Sequence, residues 1–148
     1  MSFDLKIYIA SSWKNAAIVF SLAHHLRKIG YKTDAFCDSH NGRYVFHWKE
    51  ISVNKDKFNA KNFLKYPQAK KAFEEDKKWL DWCGCLILLL PAGRSAHLEA
   101  GYIKGQGKKL IIYHPAGFPD GEFDVMYGFA DLVTISLDRI LGFLKNAT

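Results

Sequence analysis

The sequence offers little from which a stapled, fibrous or membrane-spanning protein is made. Its three cysteines, Cys37, Cys83 and Cys85, are odd in number, and their C-x-C spacing fits neither a disulfide framework nor the usual C-x-x-C half of a zinc site. They read as reduced packing residues. The longest apolar run, Cys85 to Pro91, falls far short of the roughly 20 residues that span a bilayer, and Asp4 and Lys6 stand where a signal peptide would be uncharged and apolar. No membrane partner and a cytoplasmic location are expected. No H-E-x-x-H, G-x-S-x-G, G-x-G-x-x-G or Walker pattern is present, which argues against zinc protease, serine hydrolase, dinucleotide and nucleoside-triphosphatase chemistry. No metal and no cofactor are expected.

What is present is ordinary for a folded chain. Hydrophobic residues make up 49% and charged residues 24%, so neither disorder nor a fibrous repeat is indicated. A length of 148 residues suits one domain spanning 1–148. The net charge of +6 is spread along the chain without a nucleic-acid motif. A small anionic substrate fits that charge as well as nucleic acid does, and without such a motif no nucleic-acid polymer is expected as a partner.

Leu5 to Ala10 reads as a short strand, Ser11-Ser12 as a helix start, and Ala16 to Ile29 as a helix closed by Gly30. Tyr31 to Cys37 reads as a second strand, broken by Asp38 to Gly42, and Arg43 to Leu64 has no clear assignment. Pro67 opens a helix to about Cys83, with Ala69, Ala72, Phe73, Asp76, Leu80 and Cys83 on one face. Leu86 to Leu90 is an apolar strand without alternation, as where both faces are covered. Ser95 is expected to cap a helix to about Gly105; strands at Leu110 to Tyr113 and Leu132 to Ile135 and a helix from Leu137 to Lys145 follow. This alternation predicts an α/β three-layer sandwich, flavodoxin-like or Rossmann-like, with a five-stranded parallel sheet in the order 2-1-3-4-5. Ligands of such sheets lie outside the carboxyl ends of the strands where the order reverses, here beside Ala10 to Asn15 and Pro91 to Ser95.

Two acids stand out. Asp76 falls in the apolar stripe of its helix, where a carboxylate needs a partner, unless the helix is rotated so that Asp76 lies at the edge beside Lys77 or Lys78. Glu99 lies near the start of the helix in Gly93-Arg94-Ser95-Ala96-His97-Leu98-Glu99, where the helix dipole favours the ionised form that a nucleophile requires. A capping box on Ser95 would want its acid at Leu98 instead. Ser11, Ser12, Lys14, Arg94 and Ser95 gather at helix amino termini, an arrangement suited to a phosphate, although serines at such positions also simply cap helices. Tyr44, Phe46 and Trp48 form an aromatic stretch able to stack on a base or to pack as a lid.

Taken together, these pieces resemble the nucleoside 2-deoxyribosyltransferase family, including its 2'-deoxynucleoside 5'-phosphate N-hydrolase branch. The resemblance rests on the order of Ile7-Tyr8-Ile9-Ala10-Ser11-Ser12, then Asp76-Lys77-Lys78-Trp79-Leu80, then Ser95 to Gly101, and covers nearly the whole chain. It implies Glu99 as nucleophile, Asp76 assisting at the ribose or base, and Tyr8 orienting Glu99. It also implies Ser12 and Ser95 on the 5'-phosphate or hydroxyl, with Lys14 where the hydrolase branch tends to carry an arginine. Ser11, Gly93 and Arg94 are expected beside them from their place at the helix starts, and Trp48 at the base from the aromatic stretch. The family often adds a residue from a neighbouring subunit, for which Met126 and Tyr127 are the candidates, so a homodimer or larger homo-oligomer is expected. The implied activity is cleavage of the N-glycosidic bond of a nucleoside 5'-monophosphate through a glycosyl-enzyme. The alternatives are base exchange by a nucleoside 2-deoxyribosyltransferase, a non-catalytic nucleotide sensor, and an NAD-cleaving module such as the Toll/interleukin receptor-like domains.

Overall fold

Five short strands and four helices follow one another in the computed structural model, which describes residues 3–47 and 59–147. The strands are β1 (Phe3–Ala10), β2 (Tyr31–Ala35), β3 (Cys85–Leu89), β4 (Lys109–Tyr113) and β5 (Leu132–Thr134), and the helices are α1 (Ala16–Lys28), α2 (Pro67–Trp82), α3 (Arg94–Gly105) and α4 (Leu137–Ala147). All strand pairs are parallel, in the order β2-β1-β3-β4-β5. This is the expected flavodoxin-like α/β sandwich, with its reversal of order between β1 and β3. No helix among the described residues is long and apolar enough to cross a membrane.

The alternation of side chains along each strand divides the core between the two faces of the sheet. Ile7 and Ile9 of β1, Ile87 and Leu89 of β3 and Ile111 of β4 pack with Val19, Leu22 and Leu26 of α1 and Ile140 and Leu144 of α4. On the opposite face Tyr8, Leu86, Leu88 and Ile112 meet Trp79 and Leu80 of α2 and Ala96, Ala100 and Ile103 of α3. β3 is buried along its whole length, which explains its continuous apolar run.

Several boundaries differ from the sequence expectation. β2 stops at Ala35 rather than Cys37, because the chain turns and the Asp38 amide donates to the Ala35 carbonyl at 3.0 Å. Ser12 caps only a 3-10 turn, Trp13–Asn15, accepting from the Lys14 amide at 3.3 Å, and α1 begins after it at Ala16. Ser95 is not a cap: α3 starts at Arg94 with Gly93 in the capping position and no side-chain cap. On α2 the stripe rotates toward Trp79, which is buried, and leaves Phe73 52% exposed. Gly30, at φ 114°, closes α1 as expected, a conformation that favours glycine.

Ile87 is fully enclosed at the centre of β3. Replacing it with Ala is expected to cost about 2–5 kcal/mol in urea-induced unfolding through lost transfer energy and the cavity left behind.

Candidate active site

At the reversal, the loops that leave β1 and β3 diverge to opposite faces and open a crevice. Side chains stitch the two loops together. Ser11 Oγ donates to the Leu89 carbonyl at 2.7 Å, and Asn15 Nδ2 donates to Ser11 Oγ at 3.0 Å and to the Pro91 carbonyl at 2.7 Å. The cleft so framed has a volume of about 310 Å³, the lower end of the range for small-molecule sites. Ser11, Ser12 and Trp13 line it from one loop, Gly93, Arg94, Ser95 and Ala96 from the other, Phe36, Arg43 and Phe46 from the segment after β2, and Asp76 and Glu99 from α2 and α3.

The floor is a chain of polar contacts. Tyr8 is wholly buried, and its hydroxyl donates to Glu99 Oε2 at 2.5 Å while accepting from Arg43 Nη2 at 3.2 Å. Arg43 Nη2 also reaches Asp76 Oδ1 at 2.9 Å, and Arg43 Nε donates to Asp34 Oδ2 at 2.9 Å. The sheet register makes this possible: Tyr8 and Asp34 are paired residues of β1 and β2, and paired side chains point to the same face.

Three carboxyl groups gathered near one cation, two of them well removed from water, resist ionisation. Removal from water pushes Glu99 up to about 7, the charge of Asp76 adding to the effect, the Tyr8 hydrogen bond and Arg43 opposing it. Burial pushes Asp34 up to about 6 against the pull of Arg43. Asp76 is raised too, by desolvation that Arg43 counters, although 43% of its side-chain surface is accessible. Tyr8 is held well above its ordinary value by burial and by Glu99, so it stays a hydrogen-bond donor. Burial opposes the charge of Arg43, but Tyr8, Asp34 and Asp76 outweigh it and raise its pKa.

The structure brings Tyr8, Asp76 and Glu99 together on the floor and places Ser11, Ser12, Gly93, Arg94 and Ser95 on the walls. It does not bring every expected residue there. Lys14 is exposed and off the lining, and Trp48 lies outside the described residues; Met126, expected to serve a neighbouring subunit, is 57% exposed on the turn Val125–Phe129. It is Tyr127 that ties that turn to the helix start: its hydroxyl is 2.9 Å from His97 Nε2, and His97 Nδ1 is 2.7 Å from the Gly93 carbonyl. Glu99 does not gain from the helix dipole as expected. It stands in the second turn of α3, beyond the strong reach of the helix dipole, and its surroundings favour the protonated form. Sequence reasoning missed Arg43 and Asp34. The available signal was Asp34 itself, an acid within a short strand, which demands a buried cation. Among the described residues no group of three or more His, Cys, Asp or Glu could hold a metal ion.

No family model matches the chain, and no curated protein does. Solved structures do match its fold. A 2-deoxyribosyltransferase from Bacillus psychrosaccharolyticus is similar with a TM-score of 0.66 at 14% identity, over 91% of this chain and 89% of that one. A CMP N-glycosidase from Clostridium botulinum is similar with a TM-score of 0.57 at 13% identity, over 95% and 98%. A conserved protein from Enterococcus faecalis V583 gives 0.64 at 16% identity, over 97% and 99%. At such identities the likeness is one of fold.

The raised Glu99 makes a measurable cost to stability. An unfolded glutamate ionises near pH 4.3, whereas Glu99 keeps its proton to about pH 7, so the folded chain loses stability as pH rises through that window. Glu99→Gln does not ionise. Because part of the Glu99 side chain reaches the cleft, the gain is expected to be on the order of 2 kcal/mol at pH 8 and slight at pH 4.5, read from urea unfolding at both pH values.

Proposed function

We propose that this chain cleaves the N-glycosidic bond of a nucleoside 5'-monophosphate, with Glu99 as the nucleophile. The observation that carries this reading is the Glu99 carboxyl on the floor of the cleft, held by the Tyr8 hydroxyl and with the half-exposed Asp76 lining the same cleft. Loss of a base from C1' builds positive character on the sugar, which a carboxylate beneath it stabilises and then traps. In that step a Glu99 oxygen bonds to C1', the C1'–N electron pair leaves with the base, and the base takes up a proton. Water then releases the sugar phosphate, returns the carboxylate and gives up one proton.

The walls supply the rest. Gly93 offers no side-chain cap, so the first amides of α3 are left for an anion, with Arg94, Ser95 and Ser12 beside them. That is where the 5'-phosphate would sit. Trp13, Phe36 and Phe46 give the same cleft an aromatic wall for the base. The structural likeness to a CMP N-glycosidase supports this reading, and the likeness to a 2-deoxyribosyltransferase supports a second one, in which another base rather than water takes the sugar.

Incubation with a panel of nucleosides and nucleoside monophosphates is expected to release free base, read by chromatography. Glu99→Ala should lower that rate by at least about a thousandfold; retained turnover would end the mechanism. A newly formed nucleotide on adding a second free base would establish exchange in place of pure hydrolysis.

The pH profile gives a separate check. Since the nucleophile must be ionised, kcat/KM should rise about tenfold per pH unit up to about pH 7 and then level. Tyr8→Phe removes a hydrogen bond that favours the carboxylate, and should move this limb to higher pH.

A further inference from the structure

Arg43 is the hub of the cleft floor. Its side chain is 2% accessible, so its contacts are with the protein. Asp34, wholly buried on β2, accepts from Nε at 2.9 Å, and the Phe36 carbonyl accepts from Nη1 at 3.4 Å. Those two contacts aim Nη2 at Asp76 Oδ1, 2.9 Å away, and at Tyr8 Oη, 3.2 Å away.

Each contact of Nη2 has a chemical consequence. A phenol carries one proton; because the Tyr8 oxygen already accepts from Arg43, that proton is committed to Glu99 Oε2. Glu99 Oε1 is then the oxygen left to meet C1'. The guanidinium on Oδ1 pulls Asp76 toward the carboxylate, against the burial that raises it, and Oδ2 is left to accept a hydrogen bond.

We propose that Arg43 is a positioning residue that divides the labour between the two acids. It orients Glu99 through Tyr8, and it holds Asp76 as an acceptor for a sugar hydroxyl rather than as the acid that protonates the departing base. The base then takes its proton from water. This inference rests on the glycosidic-bond reading above. The charged and titratable groups facing Arg43 are Tyr8 on β1, Asp34 on β2, Glu75 and Asp76 on α2, Glu99 on α3, and the nearby Cys37.

The test compares Arg43→Met and Arg43→Lys with Arg27→Met, which breaks a separate pair with Asp38. Two readouts are used: the pH profile of base release, and carbon-13 NMR titration of the Glu99 and Asp76 carboxyls. Arg43→Met is expected to raise both titrations by about one unit or more, to carry the activity limb up with them, and to lower kcat about a hundredfold. Arg43→Lys keeps the charge but not the fork. It should leave the limb within about half a unit and still lower kcat about tenfold or more. Arg27→Met should weaken folding without moving the limb. An unmoved Glu99 and Asp76 titration in folded Arg43→Met overturns the proposal; full kcat in Arg43→Lys overturns it even if the Met variant does not fold. Absence of base release by the unaltered protein would refute the activity, while the NMR titration would still decide the role of Arg43.

Discussion

Gathering three carboxyl groups around one guanidinium, with only Asp76 partly open to water, is unfavourable unless each charge has a fixed partner. The contacts of Arg43 with Asp34, Asp76 and Tyr8 meet that requirement from three different elements at once. β2 supplies the anchor, β1 the relay and α2 the exposed end of the network. The geometry of the cleft therefore follows from the register of the sheet, since Asp34 stands beside Tyr8 only because β1 and β2 pair as they do.

The two faces of the sheet carry different duties. Against α1 and α4 the core is apolar, built from Ile7, Ile9, Ile87, Leu89 and their helix partners. Against α2 and α3 the apolar packing of Trp79, Leu80, Ala100 and Ile103 shares its face with Tyr8 and, through it, with the charged floor. A raised acid such as Glu99 lowers stability at neutral pH, and the apolar packing on both faces offsets that strain.

Much of this architecture is legible in the sequence because it follows from periodicity. The unbroken apolar run of β3, Pro67 at the head of α2 and Gly30 behind α1 each reflect a local rule that the structure obeys. What is not legible depends on distant partners. Ser95 looks like a cap from its neighbours, yet the chain enters α3 at Gly93, one residue before the first helical position. Asp76 reads as either buried or at an edge. The structure gives it something of both, accessible on one side and bound to Arg43 on the other. Arg43 itself lies in a segment without periodicity, and its position is set by Asp34, nine residues back and across a turn.

The stitch between the two loops bears on which positions tolerate change. Ser11 and Asn15 grip the opposite loop through the carbonyls of Leu89 and Pro91, which are main-chain groups that nearly any residue supplies. The side chains of that loop are thus released from holding the cleft mouth together. Variation at Arg94 and Ser95, which line the cleft, can change which molecules enter it, while the frame around it keeps its width.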